Sequence, residues 1–408
     1  AVAPSGYTYY QRDEAHNSGE GSWTSQPFEA GNTFAVGKGY IALPGTAASN
    51  MIFSGTLNSG NQTIALTKGG TGFNLIGNPY PAHLAWTKAF VEALTAPDGG
   101  TAPATLIDPT IWIRTNAGTT NNSNQWSFQT YNATTGLAVP GQSLLSGGII
   151  PPMQAFWVKA KEAGNLILTD ALTKSHQASN PLRAPALKNT ERQLIRLEVS
   201  NGTKTDETLL FFDVNAADGI DAYDSPKFAE ANTEMQVFTT VGSDKLVMNG
   251  MREMPLNREI ALGFVPGTAS SFTIKASEVE NLPSNVRFIV KDHANHGFET
   301  DLTDGVTTYQ FETTADDTNR FSVLFKAPDV STDVESVHNQ RVSVYVNANS
   351  QLVINAPANS NYAVYNAIGQ LLNAGITNSD NHTTGFALPS GVYLVKVNKV
   401  SKRVIVKQ

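Results

Sequence analysis

The chain has 408 residues, with 28 Lys and Arg against 35 Asp and Glu, 7 His, no Cys and a formal net charge of −7. The lack of cysteine excludes disulfides, thiolate metal centres and a cysteine nucleophile. The acidic balance argues against nucleic acid as the main partner, because phosphate binding needs a concentrated basic face. No run reaches the roughly 18 to 20 apolar residues of a membrane span, so none is expected.

Charged residues make up only 15% of the chain, below the roughly 25% usual for soluble domains. Asn, Thr, Ser and Gly are abundant instead, a balance that suits short strands joined by polar turns. The length suggests roughly two to four domains. The chain opens on Ala1 rather than Met, from which we expect that a segment upstream was removed, in keeping with export.

In chain order, strand signals dominate: short β-branched and aromatic runs separated by Gly, Asn, Asp and Pro. Asn78, Pro79, Tyr80 and Pro81 read as a rigid corner, with room for a cis bond. It leads into the best helical candidate, Ala82 to Leu94. Asn116 to Gly136 reads as a long surface loop or hairpin displaying Trp126 and Tyr131, whose rings are candidates for stacking on a glycan or peptide. The rival reading places those rings in a sandwich core. Two Pro- and polar-rich stretches, Thr173 to Arg192 and Lys326 to Arg341, read as linkers. The expected domains are therefore 1–180 (a jelly-roll-like sandwich), 188–328 (a second sandwich) and 338–408 (a small immunoglobulin-like sandwich of seven strands). The fold class is all-β, as tandem β-sandwiches.

The last segment is the most distinctive. From Asn381 to Gln408 there are five basic residues and no acidic one, so this tail carries +5 while the first 380 residues sum to −12. Strand periodicity puts Tyr393, Val395 and Val397 on one face of a final hairpin and Leu394 and Lys396 on the other. Basic side chains on such a strand blunt edge-to-edge aggregation.

The segments "AVYNAIGQLL", "LPSGVYLVKV" and "SKRVIVKQ" together resemble the C-terminal sorting domain of cargo proteins of the type IX secretion system of Bacteroidota. The match falls on Tyr365, Asn366, Gly369, Gln370, Leu388, Gly391, Tyr393, Val395, Lys396, Val397, Lys402 and Lys407. The family's opening Tyr-Pro-Asn-Pro element is replaced here by Tyr345, Val346, Asn347 and Ala348, with both prolines lost. The resemblance implies Sec export and passage across the outer membrane. It also implies recognition by the translocon, a shuttle barrel and a sortase-like surface complex, and a secreted or surface-attached product. "GKGYIALPG", "GFNLIGNPYPAHLAW" and "GIIPPMQAFWVKA" resemble a β-rich region found ahead of such domains in large surface proteins, which implies a spacer or adhesive role.

Candidate chemistry is sparse, and the expectation is a protein that is not an enzyme and needs no cofactor. "GGTGFNLIGNP" lacks the Gly-Lys-Ser/Thr ending of a phosphate loop, so its glycines are expected to serve tight turns. Asp213, Asp218, Asp221 and Asp224 are dense enough to suggest a calcium site, although their spacing is not that of an EF-hand. His293 and His296 beside Asp292 offer zinc-ligand types without a partner cluster. No serine nucleophile elbow occurs. Two alternatives stay open: the C-terminal part of a glycan or peptide hydrolase with its catalytic domain upstream, and a structural surface-layer or fibre subunit.

Overall fold

A computed structural model describes residues 3–15, 23–26, 33–45, 51–94, 106–116, 126–141, 145, 147–174, 192–228, 235–327, 342–347, 349–398 and 400–406. The protein is almost entirely β, as its composition and alternation predict. It forms two compact units, Ala1–Pro328 and Asp329–Gln408. Most of both expected linkers lies outside the described residues.

The first part of the larger unit is built on a five-stranded sheet in the order Phe73–Gly77, Ala155–Ala160, Ile107–Asn116, Trp126–Asn132, Leu137–Val139. A two-stranded ribbon, Gln62–Leu66 with Gly164–Leu168, contributes Ile64, Leu66, Leu166 and Leu168 to the same core as Ile111, Phe156 and Trp86. Ile107–Asn116 and Trp126–Asn132 pair as an antiparallel hairpin, from Thr110 with Asn132 to Asn116 with Trp126, so the segment expected from Asn116 to Gly136 holds only the second of its strands.

The helix is shorter than its periodicity suggests, running only from Lys88 to Ala93. His83–Ala85 forms a strand instead, because its backbone pairs with Ile149–Ile150 on one side and Thr173–Lys174 on the other. Thr87 then starts the helix, its side chain accepting from the Phe90 N–H. The corner before it is fixed by Asn78, whose amide donates to the carbonyls of Ala82, Ile150 and Pro151 and accepts from the Tyr80 N–H. The cis peptide lies at Val139–Pro140, not in this corner.

The second part carries an eleven-stranded sheet. Phe264 from one region of that sheet meets Phe272 and Phe311 from its far end, with ring centroids 4.8 and 5.1 Å apart. The sheet therefore folds over on itself and encloses its core, as sandwich packing requires.

The two parts of this unit share buried contacts. Phe228 stacks on Phe73 with centroids 4.0 Å apart and packs on Phe128 at 4.4 Å and Trp157 at 5.0 Å. The Thr110 and Ser225 hydroxyls are 2.9 Å apart, and the Asn132 amide donates to the carbonyls of Ala222 and Asp224. Arg196 donates to the Ala138 carbonyl and pairs with Glu207 and Glu278.

The smaller unit holds two sheets among its described residues. One orders Ser343–Val346, Gln351–Asn355, Asn381–Ala387, and the other orders Leu371–Ile376, Asn361–Asn366, Gly391–Val397, Val400–Val406. Leu352 and Ile354 from the first meet Val364, Val395, Val404 and Val406 from the second in one core. This is the seven-stranded small sandwich expected from the alternation.

Candidate functional site

In the smaller unit, most of the motif residues act on the backbone. Asn366 accepts from the N–H groups of Ile368 and Gln370, and its amide donates to the Gln370 side chain. Gly369 completes the turn at φ +80°, a conformation that favours glycine. Tyr365 is half-buried and pairs across the strands with Leu394. Asn347 and Ser350 build a similar turn where the family's Tyr-Pro-Asn-Pro element would lie, Asn347 accepting from Gln351 N–H and Ser350 standing at φ +57°.

Leu388 is buried, and its N–H donates to the Ser350 carbonyl. Tyr393 is buried with its hydroxyl donating to the Pro389 carbonyl, 2.8 Å away, and Gly391 lies beneath that ring. Val395 and Val397 point into the core while Leu394, Lys396, Lys402 and Arg403 are exposed. Val400–Val406 ends the order of its sheet. The Asn, Gly, Leu and Tyr positions thus set the hairpin's shape, while the basic side chains of Lys396, Lys402 and Arg403 stand exposed on its outer face. Lys407 lies outside the described residues.

The acidic cluster is organised differently from a cation site. Asp213 accepts from Asn215 N–H and approaches Arg192 at 3.8 Å. Asp221 accepts from the N–H groups of Ala217 and Tyr223, and Asp224 from those of Asp221 and Gly250. Three of the four carboxylates cap a turn, while Asp218 is exposed. No group of three or more His, Asp or Glu side chains that could hold a metal occurs among the described residues.

Asp224 is buried, and burial, with Asp221 and Asp108 nearby, pushes its carboxyl up to about 7. Burial pushes Asp108 up too. A folded-state value above the unfolded one favours the protonated fold. That contribution is full below the ordinary Asp value of 3.8 and is lost as pH rises through about 7. Glu14 and Asp292 have the opposite sign: burial pushes each up, but hydrogen-bond donors outweigh it and hold each below its ordinary value. Their contribution is present above that value and is lost as pH falls through their folded-state values. Melting temperature is therefore expected to peak at about pH 4 to 5 and to fall by pH 8. A melting curve flat or rising between those points would refute the assignment.

Among the described residues the histidines gather no metal set. Asp292 is held by Arg320 at 2.8 Å and by the Tyr309 hydroxyl, and His296 is exposed. His293 Nε2 lies 3.0 Å from Ser322 Oγ and 3.1 Å from Glu259. The same ring nitrogen meets both hydroxyl and carboxylate, whereas a serine triad uses opposite nitrogens for the two. Ser322 moreover donates to Glu259.

The glycine-rich loop does bind an anion, but one from its own chain. The carboxylate of buried Glu14 accepts from the N–H groups of Gly69, Gly70 and Gly72 at 2.7, 2.9 and 2.6 Å. Successive amides aimed inward form such an anion nest. The loop's composition hinted at this; nothing local named Glu14 as the occupant.

Of the two stacking candidates, Tyr131 is not displayed as expected. Tyr131 is buried in the core, because the strand that carries it turns this side inward. Trp126 opens its strand opposite Asn116, and its side chain lies outside the described residues. An aromatic site lies elsewhere, in a cleft of about 250 Å³. Buried Tyr9 and Tyr80 contribute to its lining, with Phe34, Tyr40 and Phe53 half-buried around them. Phe34 meets Tyr9, Tyr40 and Phe53 at centroid distances of 5.1, 4.8 and 5.9 Å. The Tyr80 hydroxyl donates toward the Gly60 and Leu168 carbonyls, and burial raises its pKa. Tyr9, Phe34, Phe53 and the Pro79–Pro81 corner share no local signal in the sequence, because they lie on separate segments.

The fold and these sites describe an all-β protein of two units, the larger bearing an aromatic cleft and the smaller a basic terminal hairpin. The chain belongs to the family described as Domain of unknown function (DUF8693), whose match covers residues 2–325. That span coincides closely with the larger compact unit. No curated protein and no solved structure matches the chain.

Proposed function

We propose that the protein is a secreted or surface-displayed cargo of the type IX secretion system, with its C-terminal unit as the address and residues 1–328 as a binding or spacer module. The supporting observation is that every described residue of the sorting-type motif falls in one separate compact unit, whose last strand is a basic sheet edge. An exposed edge bearing Lys402 and Arg403 suits docking by strand addition or charge pairing. The partners would be the translocon, its outer-membrane shuttle barrel and the surface sortase-like complex, reached after Sec export.

The test is surface display in the producing bacterium. Deleting Leu388 to Gln408 is expected to abolish it, and so is replacing exposed Lys396, Lys402 and Arg403 together by Gln, which leaves the inward face of the hairpin intact. Normal surface levels of the deletion variant would sink the proposal.

A further inference from the structure

The aromatic cleft has a chemistry of its own, independent of the export route. Most of its polar side chains are already engaged with the protein, and Ser54 and Thr56 add two exposed hydroxyls to the lining. Asn58 donates to the Pro79 carbonyl, the Tyr9 hydroxyl to the Pro4 carbonyl, and Tyr40 accepts from the Ala35 N–H. Asn78 and Tyr80 are committed to backbone groups as described above. A sugar, whose hydroxyls demand several converging donors and acceptors, would find few. What remains open to a ligand is apolar surface, the hydroxyls of Ser54 and Thr56 and one charge.

The charge is Lys38, the only ionisable lining residue besides the tyrosines; its exposed side chain has no carboxylate partner among the described residues. The apolar surface continues onto the rim, where Val36, Leu57 and Met153 are 50%, 73% and 53% exposed. Met153 is unusual in its backbone as well. It occupies φ +61° in the turn Pro151–Gln154, a place where turn chemistry asks for Gly or Asn. A bulky side chain in that conformation costs about 1 kcal/mol or more, and here it lines the cleft.

We infer that this cleft binds a small amphipathic anion, with a short alkyl or single-ring body against the aromatic and methionine side chains and a carboxylate head at Lys38. The volume of about 250 Å³ lies just below the roughly 300 to 1,000 Å³ of common ligand sites, so a medium-chain fatty acid or a phenylalkanoic acid is the right size. Among the described residues no acidic side chain lines the cleft to oppose the head group.

The experiment is calorimetric titration of the full chain with octanoate and 4-phenylbutyrate, their methyl esters as uncharged controls, and a panel of oligosaccharides. The acids are expected to bind more tightly than the esters, and the oligosaccharides not at all. Lys38→Gln should weaken the acids by about fivefold, the size of one exposed charge pair, and leave the esters unchanged. Met153→Gly should weaken acids and esters alike while the melting temperature holds or rises, since glycine relieves the backbone. Absence of acid binding, equal affinity for acids and esters, or binding of an oligosaccharide in the cleft would each overturn the assignment. None of these outcomes depends on whether the C-terminal unit directs export.

Discussion

Replacing Phe228 by Ala is expected to lower the unfolding free energy by about 3 to 5 kcal/mol, the usual cost of removing a fully packed aromatic ring. Phe228 follows the strand Ser225–Pro226 of the second part, yet its neighbours Phe73, Trp112, Phe128 and Trp157 all belong to the first. The ring is enclosed on several sides, so its loss would leave a cavity that four large aromatic groups cannot easily fill. The same segment places Ser225 against Thr110 and the Pro226 carbonyl 3.3 Å from Trp112 Nε1. A denaturant titration of the variant should therefore show a loss shared by both parts, followed by tryptophan fluorescence for the first. A change below about 1 kcal/mol would mean that the aromatic box closes without Phe228.

Glu14→Ala is expected to cost about 1 to 3 kcal/mol, because the N–H groups of Gly69, Gly70 and buried Gly72 lose a charged acceptor. Glu14→Gln preserves the shape but turns an amide nitrogen toward a donor, and should fall between the variant and the natural protein. The cavity left by alanine is carboxylate-sized and already lined with donors. Added formate should restore part of the lost melting temperature by mass action, while chloride at equal ionic strength should not. A Glu14→Gln protein as stable as the natural one would show that the charge contributes nothing. The consequence reaches the cleft, since Glu14 follows the strand Tyr7–Arg12, which supplies Tyr9 to its lining. Ligand affinity should drop in Glu14→Ala and recover with formate.

The C-terminal hairpin was the most legible part of the protein. Alternation put Tyr393, Val395 and Val397 on one face and Leu394 and Lys396 on the other, and the first face lies in the core while the second is exposed. The all-β class was equally legible, since strand signals repeat along the whole chain. The helix from Ala82 was legible only in part. Apolar spacing suggested a longer element, but sheet partners on both sides of His83–Ala85 claimed its first residues. Tyr131 was misleading for a related reason: Asn-, Thr- and Gly-rich neighbours suggested a displayed ring, while its strand partners turned it inward.

The sequence by itself determined what depends on neighbours along the chain: strand period, turn chemistry at Asn366 and Gly369, the inward and outward faces of the last hairpin, and the basic end. Only the tertiary structure decided what depends on partners far apart. Glu14 meets amides 55 to 58 positions away, Phe228 enters a box built by another part of the unit, and the cleft gathers four separate segments around Lys38. A carboxylate or an aromatic ring carries no local sign of which distant donor or cavity it will fill. That choice is made when strands pair and sheets close, and burial then selects the contacts that leave the fewest polar groups unsatisfied.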